Sequence, residues 1–198
     1  MNGLDTAGTY LLQTLGSLYL MIVLLRFVLQ LVRADFYNPI SQFVVRATRP
    51  LLNPLRRVIP GFGGLDLSSL VLALLVQLAV MALILLLAGV GLPLALWPQL
   101  LVWALIGVAA MFVNLFFYAL IASVILSWVA PHSSNPGAQL VQQLCEPLLM
   151  PIRRLLPSLG GLDLSPIFAF IALNLMEMLV IRNLAVMTQM PRALSPFL

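Results

Sequence analysis

The chain has 198 residues, of which 62% are hydrophobic and 8% charged, with a mean hydropathy of +1.09. Soluble domains carry about 25% charged residues, so an ordinary soluble enzyme, a disordered chain and a nucleic-acid domain built on a basic patch are excluded. The net charge of +4 comes from ten Arg against six acidic residues, with no Lys. One Cys (Cys145) and one His (His132) leave nothing with which to build an intrachain disulfide or a self-contained metal cluster.

Four segments reach the ~20 apolar residues of a spanning helix. They lie at about 9–32, 67–88, 104–129 and 166–188. The apolar run of the third begins at Trp97 and is longer than a bilayer needs, so that helix is tilted or its first turns lie at the interface. The N-terminus lacks a basic region and carries Asp5, so the first segment reads as a retained span rather than a signal peptide. Arg33, Arg46, Arg49, Arg56 and Arg57 fall in the first long loop, 33–66, and Arg153 and Arg154 in the second, 130–165. The connection 89–98 is uncharged. The positive-inside rule then places both Arg-bearing loops in the cytoplasm and both termini outside, with Arg192 a mild exception.

The two loops are copies. Residues 38–68 and 135–165 align without a gap at an offset of 97, with 17 of 31 positions identical. The chain therefore divides into repeats 1–92 and 93–198. The expected fold is an all-α membrane protein of four transmembrane helices, arranged as two parallel helix–loop–helix repeats, each with a short cytoplasmic amphipathic helix. A pseudo-two-fold along the membrane normal should relate them, unlike the inverted repeats of many transporters.

Each loop opens on Asn-Pro. Asn38 and Asn135 suit helix caps, and the Pro that follows suits the first helical position. Ile40, Phe43, Val44 and Ala47 then form an apolar face opposite Ser41, Gln42, Arg46 and Arg49. Leu140, Val141 and Leu144 repeat it opposite Gln139, Gln142, Gln143 and Glu146. Three prolines in 50–60, and again in 147–157, predict a kinked path instead of a regular helix. Inside it sit the pairs Arg56/Arg57 and Arg153/Arg154, which fit topology anchors on anionic headgroups or a docking site for a lipid or acidic partner. Gly-Gly-Leu-Asp-Leu-Ser ends each loop. Asp66 and Asp163 are placed to cap the helices that follow, the rival roles being an Asp–Arg pair between the loops or a carboxylate ring at a pore mouth.

Charges within a bilayer are costly and often functional. Arg26, with Gln30 and Arg33 on the same stripe, can snorkel to the cytoplasmic side. Glu177 lies near mid-membrane. In a regular helix it stands about 140° from Arg182, so it is expected to be protonated, wet or paired with another helix, Arg26 across the repeats being the nearest partner in depth. Gln77 and Asn174 complete a polar set. His132 reads as solvated at the interface and Cys145 as inert.

The doubled Asn-Pro start, Pro-Leu-Leu-x-Pro-φ-Arg-Arg-φ-φ-Pro core and Gly-x-φ-Asp turn resemble the YggT family, and 34–45 resembles its two-repeat proteobacterial members. The resemblance covers essentially the whole chain, and Arg56, Arg57, Asp66, Arg153, Arg154 and Asp163 match its pattern. It implies a bacterial inner-membrane protein with plastid relatives, the YlmG group. It also implies a link to osmotic-stress tolerance and ion uptake, cell division or nucleoid organisation, and cytochrome assembly in plastids. No catalytic residue, cofactor or metal ligand is implied. Arg26 and Arg49 face Ser123 and Glu146 in the other copy, so a role needing those charges twice is not expected. The resulting expectation is a non-enzymatic scaffold or assembly factor whose loops hold anionic lipid, another membrane protein or a further copy of the chain, with no nucleic-acid partner. The alternative is a subunit of a small channel or transporter with Glu177, Arg26, Gln77 and Asn174 along a polar seam.

Overall fold

A computed structural model describes residues 3–59, 61, 64–129, 135–155 and 163–194. Pro60, Gly63, His132, Pro157 and Gly160 lie outside the described residues. The elements are α1 (Gly3–Leu31), α2 (Pro39–Val58), α3 (Leu67–Leu87), α4 (Trp97–Val129), α5 (Pro136–Leu155), α6 (Ser165–Met176) and α7 (Arg182–Met187). Short 3-10 turns at Leu94–Leu96 and Arg192–Leu194, and a π-turn at Glu177–Ile181, complete the order. Four stretches are long and apolar enough to cross a membrane: Asp5–Leu31, Leu67–Leu87, Leu94–Val129 and Ser165–Met187. The chain is an all-α membrane protein.

α1 packs along α3, both touch α4, and α6 packs on α4. Helix faces hydrophobic all round are what a lipid solvent selects, so packing here depends on shape rather than on amphipathic stripes. Two glycines let backbones close up: a Cβ on Gly16 of α1 would collide with Val80 of α3, and one on Gly107 of α4 with Gln77 of α3. Leu24, Val28, Leu72 and Ala73 form the core of the first repeat, reached by Met111 of α4 and by Leu140 and Leu144 of α5. Val113, Leu120, Ala169 and Leu173 form that of the second. At the end away from the loops, Leu194 tucks among Met81, Ile84 and Leu100, and Gln99 and Trp103 donate to the Thr188 carbonyl at 3.2 and 3.0 Å.

The prolines do not break the loop helices. α2 runs through Pro50 and Pro54, and α5 through Pro147 and Pro151. Each pair is spaced four apart, so both rings share one face, and all four prolines lie on the exposed side. The carbonyls that lose an N–H partner there can be solvated, which is what lets the helix continue. The buried stripe of α2 also differs from the expected one. It is Ser41, Val44, Thr48 and Leu52, while Ile40 and Phe43 are exposed. A half-buried partner on α1, Arg26, draws the polar Thr48 inward.

α1, α3 and α7 end alike. The N–H groups of Ala34, Val90 and Met190 each reach back five residues, to Leu29, Leu85 and Ala185, closing a Schellman motif whose penultimate residue is left-handed. Glycine fills that position after α3 (Gly89, φ 72°), but Arg33 (φ 52°) and Gln189 (φ 53°) fill it elsewhere. A side chain there costs about 1–2 kcal/mol.

Candidate functional site

The Arg-bearing loops lie together at one end of the bundle. Asn38 Oδ1 accepts from the Ile40 N–H at 2.9 Å, and its Nδ2 donates across the repeats to the Pro136 carbonyl at 2.6 Å. Asn135 Oδ1 accepts from the Gly137 N–H at 2.9 Å. The Asp35 N–H points to Gln143 Oε1 at 3.4 Å. The two Asn-Pro starts therefore begin adjacent helices.

In each loop one arginine of the adjacent pair is taken by the aspartate ten residues on. Arg56 Nη2 donates to Asp66 Oδ2 at 2.5 Å, and Arg153 Nη2 meets Asp163 Oδ2 at 2.9 Å. Each pair ties the end of α2 or α5 to the start of the next span. Asp66 stands at the N-cap of α3 but makes no side-chain bond to the helix backbone. Its carboxylate instead accepts from Arg56 and from the Ser69 hydroxyl, the latter at 2.6 Å. Capping by its side chain is thus replaced by pairing within the loop, because a nearly buried carboxylate gains more from a guanidinium in reach than from a neutral N–H. Asp163 does both, accepting the Ser165 N–H at 2.9 Å. Burial pushes the Asp66 carboxyl up, but the Arg56 and Ser69 bonds and the Arg56 charge together hold it below the ordinary value. Burial also raises Asp163, more than offset by Ser165 and then Arg153.

The second arginine of each pair is left outward. Arg57 is exposed, with no hydrogen bond or ion pair to another described residue. Arg154 rests on the Met150 sulfur at 3.3 Å. Arg46 and Arg49 are exposed on α2. Arg153 also meets Glu146 at 3.2 Å, a contact that Arg49 precludes in the first copy. Cys145 is fully buried, and burial pushes its thiol up to about 11.

The intramembrane polar residues do not gather. Arg26 does not meet Glu177. Its Nη1 donates to the Val45 carbonyl at 3.1 Å and to Thr48 Oγ1 at 2.9 Å, both on α2. Glu177 lies 3.5 Å from Arg182. The π-turn makes this possible: the Arg182 N–H bonds the Glu177 carbonyl five residues back, and the wider turn brings residues five apart round to one face. A regular helical period misses that. Asn174 donates to its own helix, to the Phe170 carbonyl at 2.9 Å. Gln77 packs between α3 and α4 against Gly107. Sequence reasoning places Ser41 on the outer face and passes over Thr48. The available signal is their spacing, three and four residues from Val44, with Leu52 four further on.

The CCB3/YggT family model matches the chain twice, over residues 6–87 and 102–184. The chain is 71% identical over its full length to an uncharacterised protein of Pseudomonas aeruginosa, also covered completely. It is 41% identical over 172 residues to the uncharacterised protein YggT of Escherichia coli K12, covering 86% of this chain and 87% of that one. Over 66 residues it is 41% identical to the chloroplastic YlmG homolog protein 2 of Arabidopsis thaliana, covering 32% and 25% respectively. No solved structure matches.

Proposed function

The chain belongs to the CCB3/YggT family, and from that premise we propose that it is a non-enzymatic inner-membrane scaffold or assembly factor. Its duplicated loops face the cytoplasm and hold anionic lipid or a membrane partner. The observation that carries this reading is the duplicated Arg–Asp tie, Arg56–Asp66 and Arg153–Asp163. It fixes each loop helix to the following span and leaves Arg57 and Arg154 free to present charge. An exposed Arg near an anionic surface contributes about 1 kcal/mol, so the array with Arg46 and Arg49 favours a charged interface. The amphipathic α2 and α5 fit lying at that interface, with Phe36 and Tyr37 exposed beside them. The dispersal of Asn174, Glu177 and Gln77 over separate contacts speaks against a polar seam, and so against a channel subunit. A role in osmotic-stress tolerance fits a scaffold that responds to the charge of its bilayer.

The test uses the full chain in nanodiscs of neutral lipid with and without a third of phosphatidylglycerol. Wild type is expected to melt higher in the anionic discs, and Arg57→Gln/Arg154→Gln to lose most of that gain. An equal gain in the variant rejects the loops as the charged face.

A further inference from the structure

A cavity of about 340 Å³ lies where the end of α1, the turn after it and the start of α2 meet. Its polar lining is Arg26, Gln30, Arg33, Ser41 and Arg56, with Phe36 beside them. Two polar atoms of this lining, Arg26 Nε and Ser41 Oγ, are buried without a partner in the described structure. Ser41 is 4% exposed. Buried donors without partners are rare and call for an explanation. Arg26 is held in place by its Nη1 bonds to Val45 and Thr48. Arg33 is held by a left-handed backbone in a position that Gly89 fills at the end of α3.

The charge balance is positive. Of the two nearby carboxylates, Asp66 is engaged by Arg56 and Ser69, and Asp35 accepts from the Tyr37 N–H. Neither Arg26 nor Arg33, beside the Ser41 hydroxyl, forms an ion pair with a described residue. Resting on the reading of the loops as an anion-holding face, we propose that this cavity binds the phosphate of one anionic phospholipid headgroup per chain. Arginine donors and a hydroxyl suit a tetrahedral oxyanion, the volume falls in the range of ligand pockets, and the site sits at the level where α1 leaves the membrane. The second repeat has no equivalent: Ser123, Ser127 and Ala138 stand where Arg26, Gln30 and Ser41 do. Neither serine carries the charge that an arginine brings to an anion. The site is therefore single although the loop is doubled.

The test titrates the purified full chain, in uncharged detergent and phosphate-free buffer, with dihexanoyl phosphatidylglycerol in one arm and inorganic phosphate in the other. Stoichiometry is read by native mass spectrometry and affinity by calorimetry. One saturable phosphatidylglycerol per wild-type chain is expected, with inorganic phosphate far weaker. Ser41→Ala, which installs the residue of the second repeat, should weaken binding about threefold. Arg33→Gly should weaken it about tenfold while melting at or above the wild-type temperature, since it relieves the left-handed arginine. Variants that bind like wild type overturn the site, and equal binding of inorganic phosphate overturns the lipid assignment. Failure here is distinct from failure of the loop reading: this experiment counts one bound molecule, whereas the nanodisc experiment reads bulk charge at Arg57 and Arg154.

Discussion

Asp66 and Asp163 occupy the same position of a duplicated hexapeptide and bind the same duplicated arginine, yet the first side chain is 4% exposed and the second 43%. The difference lies in the neighbours. Ser69 gives Asp66 a second donor, and Pro166 stands in its place in the second repeat. Ser68 adds a further strap, donating to the Ile59 carbonyl at 2.9 Å. Above them, Arg26 and Thr48 tie α1 to α2, whereas Ser123 and Cys145 meet at the matching place between α4 and α5. An identical motif is thus a buried joint in one repeat and a wet one in the other. Duplication copies the connection; the burial around it sets how much that connection contributes.

The widest separation between the repeats should come from one substitution made twice. Asp66→Asn is expected to cost about 2–3 kcal/mol, because it leaves a charge-assisted bond unmade in a nearly buried place. Asp163→Asn should cost under about 1 kcal/mol, as exposed pairs do. Unfolding in detergent followed by circular dichroism reads both, and equal losses would erase the distinction. Acid tests it another way. Both carboxyls sit below their ordinary 3.8 in the folded chain. Their contribution is therefore complete above that value and is lost as pH falls through the lower folded values. Asp66→Asn should flatten this acid loss more than Asp163→Asn does.

Next in size is Thr48→Val, which keeps the shape and removes the acceptor of Arg26. We expect a loss of about 1–2 kcal/mol, seen as faster hydrogen exchange in α2 than in α5. Glu177→Gln should cost about 1–2 kcal/mol, since its pair with Arg182 lies in a spanning segment where water does not screen it, although the 3.5 Å separation is long. A loss as large as that of Asp66→Asn would mean that the π-turn depends on the pair. The smallest response is expected from Cys145, whose buried thiol should react with maleimide roughly a hundredfold more slowly than a cysteine placed at Arg154.

Much of this architecture is legible in the residues. Apolar runs delimit the four spans to within a residue or two except at the start of α1 and α4, where the helix continues beyond the most apolar stretch. The Asn-Pro pairs mark where α2 and α5 begin. Three features are not legible, each for a definite reason. Pro50 and Pro54 read as breakers because the pattern does not reveal that they share a solvated face. The Glu177–Arg182 pair is hidden because a π-turn changes the angular period on which any facing argument depends. Arg26 has its partner on the loop helix, and that contact depends on how α2 docks, which periodicity in α1 cannot supply. For the same reason Ser41 looks like a surface residue. The second repeat, with no arginine at the matching place, shows the closer agreement between expected and observed faces: Leu140 and Leu144 are buried, and Gln139 and Gln142 exposed.

The longest helix carries a consequence of its own. Trp97 and Trp128 stand near the two ends of α4, exposed to 44% and 85%. Thirty-one residues of rise separate them by about 46 Å, close to the ~40–45 Å of a bilayer measured across its headgroups. Indole rings settle at that depth on both sides, so α4 is long enough to reach both headgroup layers. A thinner bilayer would have to be met by tilting, kinking or local thickening. Gly107 of that helix is closed against Gln77 of α3, so any tilt of α4 bears first on its contact with the first repeat.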